Sequence, residues 1–157
     1  KDPVELNTFR TEVADLSRRL SGTAAQMGES KELLDQIEHL LLTYPGSDMK
    51  LLAETRALRL IYDECAILLW GDGLKTSKEF ETLPGINGRL GIVEYSLYDN
   101  TGGVTNAQRS NKAIAEEEYR VMRVKFDDYL KRITALEKTL DGRQIPYVKG
   151  RENWKED

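Results

Sequence analysis

The chain has 157 residues, which is the size of one domain and enough to bury a hydrophobic core. Its hydrophobic fraction of 39% and charged fraction of 32% are typical of a globular protein rich in helix. The net charge of −4 argues against a nucleic-acid partner, because such binding needs a basic surface. The longest apolar run, residues 65–70, is far shorter than the roughly 20 residues that cross a bilayer, so no membrane span is predicted.

The chain begins with the sequence KDPVELNTF, without a Met or a signal peptide. We interpret it as a piece excised from the C-terminal part of a longer protein, and we expect residues 1–157 to form one helical-bundle domain. Its single cysteine, Cys65, cannot form an internal disulfide, so cysteine usage does not indicate the compartment.

The N-terminal segment carries residues at the heptad spacing of a packed helix. The members of this seam are Leu6, Phe9, Val13, Leu16, Leu20, Thr23, Met27, Ser30, Leu34, Ile37 and Leu41. Gly22 and Gly28 each cost a helix about 1 kcal/mol relative to alanine, but the unbroken register favours one long helix. Whether that helix bends between the two glycines is left open by the pattern.

Two shorter helices are predicted after the turn at residues 44–46. Ser47 or Asp48 is expected to cap the first of them. Its apolar face consists of Leu51, Leu58, Tyr62, Cys65 and Leu69. Residues 71–85 are predicted to form a loop, and a short helix is predicted over residues 86–98. Its buried residues are predicted to be Ile86, Leu90, Val93 and Leu97.

The last helix has the clearest pattern. Thr105 and Gln108 form a capping box that starts it, and Gly142 ends it. Its seam steps by 4 and 3 through Ala115, Tyr119, Met122, Phe126, Tyr129, Ile133, Leu136 and Leu140. Residues 143–157 are expected to be an irregular tail. The predicted fold is therefore all-α, an antiparallel up-and-down helical bundle with two long and two shorter helices.

The residues that carry chemistry in helical bundles are mostly missing. The one histidine, His39, is not part of a Glu-x-x-His motif, and a zinc site of His39 with Cys65 would lack its other ligands. Asp35 and His39 are interpreted as a surface pair, and Cys65 as an unreactive core residue. The glutamates at 116–118 point in different directions on a helix and are interpreted as a solvated face. No catalytic residue, metal or cofactor is predicted.

Three glycines, Gly85, Gly88 and Gly91, follow the spacing G-x-x-G-x-x-G. This spacing fits neither a P-loop nor a dinucleotide-binding loop. We expect Gly88 and Gly91 to allow close approach of another backbone, and Asn87 and Arg89 to hydrogen-bond neighbouring helix ends or loops.

The stretch LPGINGRLGIVEYSLYDNTGGVTNAQRSNKAIAEEEYRVM, residues 83–122, resembles a pattern near the C-terminus of large bacterial sortilin-like, BNR-repeat glycosyl hydrolase proteins. Residues 84–90 correspond to Pro-[SG]-Ile-Asn-x-Arg-[LV], residues 95–96 to Tyr-Ser, and residues 105–109 to Thr-x-x-Gln-[RK]. Residues 115–118 and the later sequence GRQIPYVKGR also correspond to parts of the pattern. The chain departs from it at 101–105, where TGGVT replaces the usual TSAPT.

The resemblance implies an accessory domain appended to β-propeller repeats. In that family the hydrolase function is attached to the propeller, so no catalytic residue carries over to this chain. The family is typically exported, which implies a periplasmic or extracellular location.

Our leading hypothesis is a non-catalytic bundle that packs against the β-propeller of its parent chain or against another protein. Aromatic residues are enriched at interfaces, so the candidate docking residues are Trp70, Tyr95, Tyr98 and Trp154. One alternative is an independent oligomerisation or protein-binding bundle, including a homo-oligomer. The other is an enzyme domain acting on polysaccharide through carboxylates. Its candidate residues would be Glu94, Asp99 and Glu118.

Overall fold

The computed structural model describes residues 3–44, 46, 48–72, 84–98, 100 and 102–143. These residues form four α-helices and no strand, which confirms the prediction of an all-α helical bundle with two long and two shorter helices. The helices are α1 (Pro3–Thr43), α2 (Met49–Trp70), α3 (Ile86–Tyr98) and α4 (Asn106–Gly142). Most of the predicted loop, residues 73–83, and the tail from residue 144 onward lie outside the described residues.

Helix α1 is continuous through Gly22 and Gly28, where the sequence pattern left a bend open. A Cβ atom added to either glycine would meet nothing within 4 Å, so neither glycine is required by a close contact. The seam is buried on both sides of these glycines, from Phe9 at 4% exposed to Leu41 at 4%. Burial of this seam outweighs the low helix propensity of two glycines in a helix of 41 residues.

The packing divides the chain into two compact units, one made of residues 1–24 and 65–124 and the other of residues 25–64 and 125–157. We call them unit 1 and unit 2. Helices α1, α2 and α4 each contribute residues to both units, whereas α3 lies wholly in unit 1.

In unit 1, α1 and α4 run in the same direction. Glu5 near the start of α1 pairs with Arg109 near the start of α4, and Thr23 further along α1 accepts a hydrogen bond from Arg123 at 2.9 Å. Residues of α1, α3 and α4, with the last turns of α2, fill this core. Its buried apolar side chains include Phe9, Val13, Leu16, Leu20, Leu69, Ile86, Leu90, Val93, Leu97 and Met122.

In unit 2, α2 runs antiparallel to α4. Lys125 pairs with Glu64 at 3.0 Å and, about two turns further along α4, Arg132 pairs with Glu54 at 2.6 Å. The aromatic centre of this core is Tyr129, whose ring lies 5.6 Å from that of Phe126 and 6.2 Å from that of Tyr62. Both predicted apolar faces, that of α2 and that of α4, contribute to this core.

The beginning of α2 shows how its sequence starts a helix. Gly46 has a φ of +79°, a conformation that side-chain-bearing residues rarely adopt. Asp48 then caps the helix, because its Oδ1 accepts a hydrogen bond from the backbone N–H of Lys50 at 2.8 Å. Its Oδ2 accepts a second bond, from Arg143, at 2.8 Å. The predicted cap at Asp48 is thus confirmed, whereas Ser47 lies outside the described residues.

Candidate functional site

The most exposed aromatic side chains of the described residues lie on α3. Tyr95 is 86% exposed and Tyr98 is 85% exposed, and Ile92, one turn earlier on the same side of the helix, is 58% exposed. Residues three apart are neighbours on a helix surface. Ile92, Tyr95 and Tyr98 therefore form one apolar and aromatic surface, which we call the tyrosine face.

The other predicted site residues are not part of the tyrosine face. Trp70 is the last residue of α2 and is 48% exposed. Asn87 is exposed in the first turn of α3, and among the described residues its side chain makes no hydrogen bond. Trp154 lies outside the described residues. The structure therefore brings Tyr95 and Tyr98 together and leaves Asn87 without the predicted contact.

Arg89 fastens α3 to α4. Its Nε donates to Glu118 Oε1 at 3.1 Å, and its Nη1 donates to Asn111 Oδ1 at 2.9 Å. The Arg89 side chain is only 16% exposed and that of Glu118 is 34% exposed, so this charge-assisted contact is partly shielded from water. Arg89 thus hydrogen-bonds a neighbouring helix, but the predicted partner was wrong, because it contacts side chains within α4 and not a helix end or a loop.

The beginning of α3 is packed tightly against the end of α2. A Cβ atom added at Gly85 would lie 2.4 Å from the backbone nitrogen of Gly71 and 2.5 Å from the carbonyl carbon of Trp70. The prediction that Gly88 and Gly91 provide the close approach was wrong. A Cβ at Gly88 would only touch Pro84 at 3.4 Å, and one at Gly91 would meet open space. The glycine that the packing requires is Gly85, because it immediately precedes the helix at the chain crossing.

The C-terminal end of α3 is capped from α1. Arg10 Nη2 donates to the carbonyl oxygen of Leu97 at 3.0 Å and to that of Asn100 at 3.3 Å. A cation at this position satisfies carbonyl groups that have no partner within the helix and opposes the negative end of the helix dipole. Arg10 is not among the predicted site residues, because nothing in the spacing of α1 indicates which helix end an exposed arginine reaches.

The capping box of α4 also holds α3. The Thr105 N–H donates to Gln108 Oε1 at 2.9 Å, and the Gln108 N–H donates to Thr105 Oγ1 at 3.1 Å, which confirms the predicted box. Gln108 Nε2 in turn donates to Ser96 Oγ at 3.0 Å. Helix α3 is therefore fixed at both ends and at two positions between them, and the tyrosine face is presented on a rigid element.

An open groove of about 710 Å³ runs between α3 and α4 beside the tyrosine face. Tyr95 and Tyr98 line one side, and Gln108 and Asn111 line the other. Within the described residues, the buried Nδ2 of Asn100 at one end of this groove has no hydrogen-bond partner. One side of the groove is thus aromatic and the other side is polar.

The carboxylates at 116–118 are engaged in ion pairs that stabilise the helices. Glu116 accepts from Lys112 at 2.8 Å and Glu117 from Arg120 at 2.7 Å, both on the same helix, while Glu118 is held by the Arg89 contact. Hydrogen bonding to Arg120 lowers the pKa of Glu117 below its usual value. A general acid needs the opposite, a raised pKa, so Glu117 is not suited to that role.

The remaining carboxylates of the polysaccharide hypothesis do not gather around one site in the described part of the chain. Glu94 is exposed beside Arg10 and Tyr98, in a small surface depression that does not include Glu118. Asp99 lies outside the described residues.

The cysteine, the histidine and the possible metal ligands of the described residues were also located. Cys65 is fully buried in the core, as predicted. Asp35 and His39 are both exposed, as the surface interpretation predicted, and Asp35 pairs with Arg59 at 2.8 Å. In the described ranges no three His, Cys, Asp or Glu side chains are arranged to hold a metal ion.

No protein-family model, curated protein or solved structure matches this chain. Among the residues that the structure describes, no helix is long and apolar enough to cross a membrane. The site is therefore interpreted from its geometry and from the sequence resemblance.

Proposed function

We propose that this chain is a non-catalytic accessory domain that docks, through the tyrosine face, onto the β-propeller of an exported sortilin-like, BNR-repeat parent protein. The observation that carries the proposal is the nearly complete exposure of Tyr95 and Tyr98 on a helix whose ends are both fixed. The resemblance of residues 83–122 to the C-terminal segment of such proteins supports the choice of partner and implies a periplasmic or extracellular location.

The composition and the rigidity of the tyrosine face both favour binding. Two exposed tyrosines next to an isoleucine offer large apolar area together with hydroxyl groups, which is the composition of binding hot spots. Because Arg10, Arg89 and Gln108 already fix α3, little conformational entropy is lost when a partner binds. The tyrosine face is therefore suited to tight binding of a protein partner.

The side chains of the tyrosine face also indicate which groups its partner must provide. The rings of Tyr95 and Tyr98 need apolar pockets of matching size, and their hydroxyls need hydrogen-bond partners at the rim. Asn111 lines the opposite side of the adjoining groove, so the partner surface should bring polar groups to that side.

The test is binding between this chain and the parent propeller prepared without it, measured by isothermal titration calorimetry. The double variant Tyr95→Ala/Tyr98→Ala should weaken binding by 100-fold or more, on the order of the loss of two hot-spot side chains. Tyr44→Ala removes an aromatic that is 40% exposed in unit 2 and should leave the affinity unchanged. Circular dichroism checks that both variants remain folded. Absence of association with the unaltered chain would refute the docking role.

A second function, an independent oligomerisation module, is favoured by a different surface. Helix α2 carries Met49 at 71% exposed and Leu60 at 66% exposed, in addition to the apolar face that it buries.

A further inference from the structure

Helix α2 has a second heptad pattern that faces away from the core of unit 2. Within unit 2 its members are Met49, Ala53, Arg56, Leu60 and Asp63, which step by 4, 3, 4 and 3, and all five are exposed. We call these residues the α2 face. The core of unit 2 already receives Leu51, Leu58 and Tyr62 from the same helix. Single exposed leucines are common, but a periodic second seam is typical of a helix that packs on two sides.

The charges of the α2 face are placed symmetrically about Leu60. Arg56 lies four residues before it and Asp63 three residues after it. At about 100° per residue, both lie on the same side of Leu60, at roughly 40° and 60° from it around the helix. When two such helices pair antiparallel about a two-fold axis at Leu60, Arg56 of each copy therefore meets Asp63 of the other.

The two charged residues are available for such contacts. Among the described residues Asp63 forms no ion pair within 4 Å, although it interacts electrostatically with Arg59 one turn earlier. Arg56, with its side chain 59% exposed, makes only a long contact of 3.7 Å to Glu38. Glu38 also accepts a hydrogen bond from Arg59 at 3.3 Å. Pairing with a second copy would thus give Asp63 a direct ion pair with Arg56 of that copy without breaking a short ion pair.

The opposite side of the same seam allows close approach. Ala53 and Ala57 have short side chains and lie on the other side of Leu60 from Arg56 and Asp63. All five residues line one shallow groove along α2. Small residues let two helices approach to about 8–10 Å between axes, which permits Met49 and Leu60 to bury their side chains.

We propose that the α2 face is the docking site for a second copy of this chain, in a two-fold antiparallel arrangement with Leu60 packed against Leu60. Identical surfaces form such an interface only when they are self-complementary. The order cation, leucine, anion along α2 has that property. The proposal goes beyond the docking of a propeller, since the α2 face contains none of the residues of the tyrosine face.

The first test is the oligomeric state of the full chain by sedimentation equilibrium over a range of concentrations. The unaltered chain should reach twice the monomer mass. Leu60→Asp should raise the dimer Kd by 100-fold or more, because it buries a carboxylate at the centre of the interface. Leu42→Asp is the matched control, since Leu42 is an exposed leucine of unit 2 at 58%. A monomer at every concentration, or equal effects of the two variants, would overturn the proposal.

The second test is a charge exchange. Arg56→Asp alone and Asp63→Arg alone should each weaken the dimer by about tenfold, because like charges then face each other twice across the interface. The double variant Arg56→Asp/Asp63→Arg should restore the original affinity. Failure of the double variant to recover the affinity would overturn the antiparallel arrangement.

The two proposals are distinguished by crossed measurements. Tyr95→Ala/Tyr98→Ala should leave the mass of the dimer unchanged, and Leu60→Asp should leave binding to the propeller unchanged. A dimer lost in the tyrosine variant would place self-association on the tyrosine face and overturn the α2 proposal.

Discussion

At the residue scale, the buried hydrogen bond between Tyr129 and Ser30 stabilises the core of unit 2. Tyr129 donates from its hydroxyl to Ser30 Oγ at 2.9 Å, and Ser30 donates to the carbonyl oxygen of Met27 at 2.9 Å. In unit 1, Thr23 Oγ1 lies 3.0 Å from the hydroxyl oxygen of Tyr119. The two polar members of the α1 seam are thus satisfied by tyrosines of α4.

We expect Tyr129→Phe to lower the free energy of unfolding by about 1 kcal/mol, because a buried hydrogen bond is lost while the ring packing remains. Urea denaturation measures this difference. Tyr95→Phe, which removes a hydroxyl from a side chain that is 86% exposed, is the control and should change stability very little. Equal values for the two variants would show that the Ser30 contact does not stabilise the fold.

Asp48 is expected to make stability depend on pH. The hydrogen bond from the Lys50 backbone N–H, and then that from Arg143, hold the pKa of Asp48 below its usual value of 3.8. Because the folded-state pKa is lower than the unfolded one, the stabilisation is fully present above pH 3.8 and is lost as the pH falls through the folded-state pKa.

The variant Asp48→Asn keeps an oxygen that can cap α2 but removes the charge. We expect its melting temperature to lie below that of the unaltered chain at neutral pH, and the difference to shrink as the pH falls below 3.8. Thermal unfolding followed by circular dichroism at several pH values measures it. A difference that stays constant across this range would contradict the assignment.

At the scale of the elements, α3 and the glycine before it show what heptad spacing predicts and what it does not. The four buried positions Ile86, Leu90, Val93 and Leu97 were predicted correctly from their spacing. The role of Gly85 was not, because a glycine before a helix looks the same in sequence whether it lies in open space or against another chain segment. Only the position of Gly71 after α2 decides the matter.

Two alanine substitutions separate these cases. Gly85→Ala should destabilise the protein by about 1–3 kcal/mol or more, because the added Cβ would lie 2.4 Å from a backbone atom that cannot move by itself. Gly91→Ala adds a methyl group in open space within a helix and should stabilise by about 0.5–1 kcal/mol. Urea denaturation of both variants measures the change in the free energy of unfolding, which should be negative for Gly85→Ala and positive for Gly91→Ala. A neutral Gly85→Ala would contradict the close packing of α2 and α3.

At the scale of the whole molecule, the described residues form an all-α bundle in which three of the four helices contribute to both units. The shorter helices supply the two surfaces that the proposals use, the tyrosine face on α3 and the α2 face on α2. Ion pairs join helices within each unit, as with Arg89 and Glu118 in unit 1 and Arg132 and Glu54 in unit 2.

The sequence by itself determined the four helices, their ends at Asp48, Thr105 and Gly142, and most of the residues they bury. It could do so because helix periodicity and capping depend on residues within a few positions of each other. Tertiary structure alone decided that Arg89 reaches Glu118, that Arg10 caps α3 and that Gly85 meets Gly71. Those contacts join residues 14 to 87 positions apart along the chain, and their geometry depends on the register between packed helices, which heptad spacing leaves undetermined.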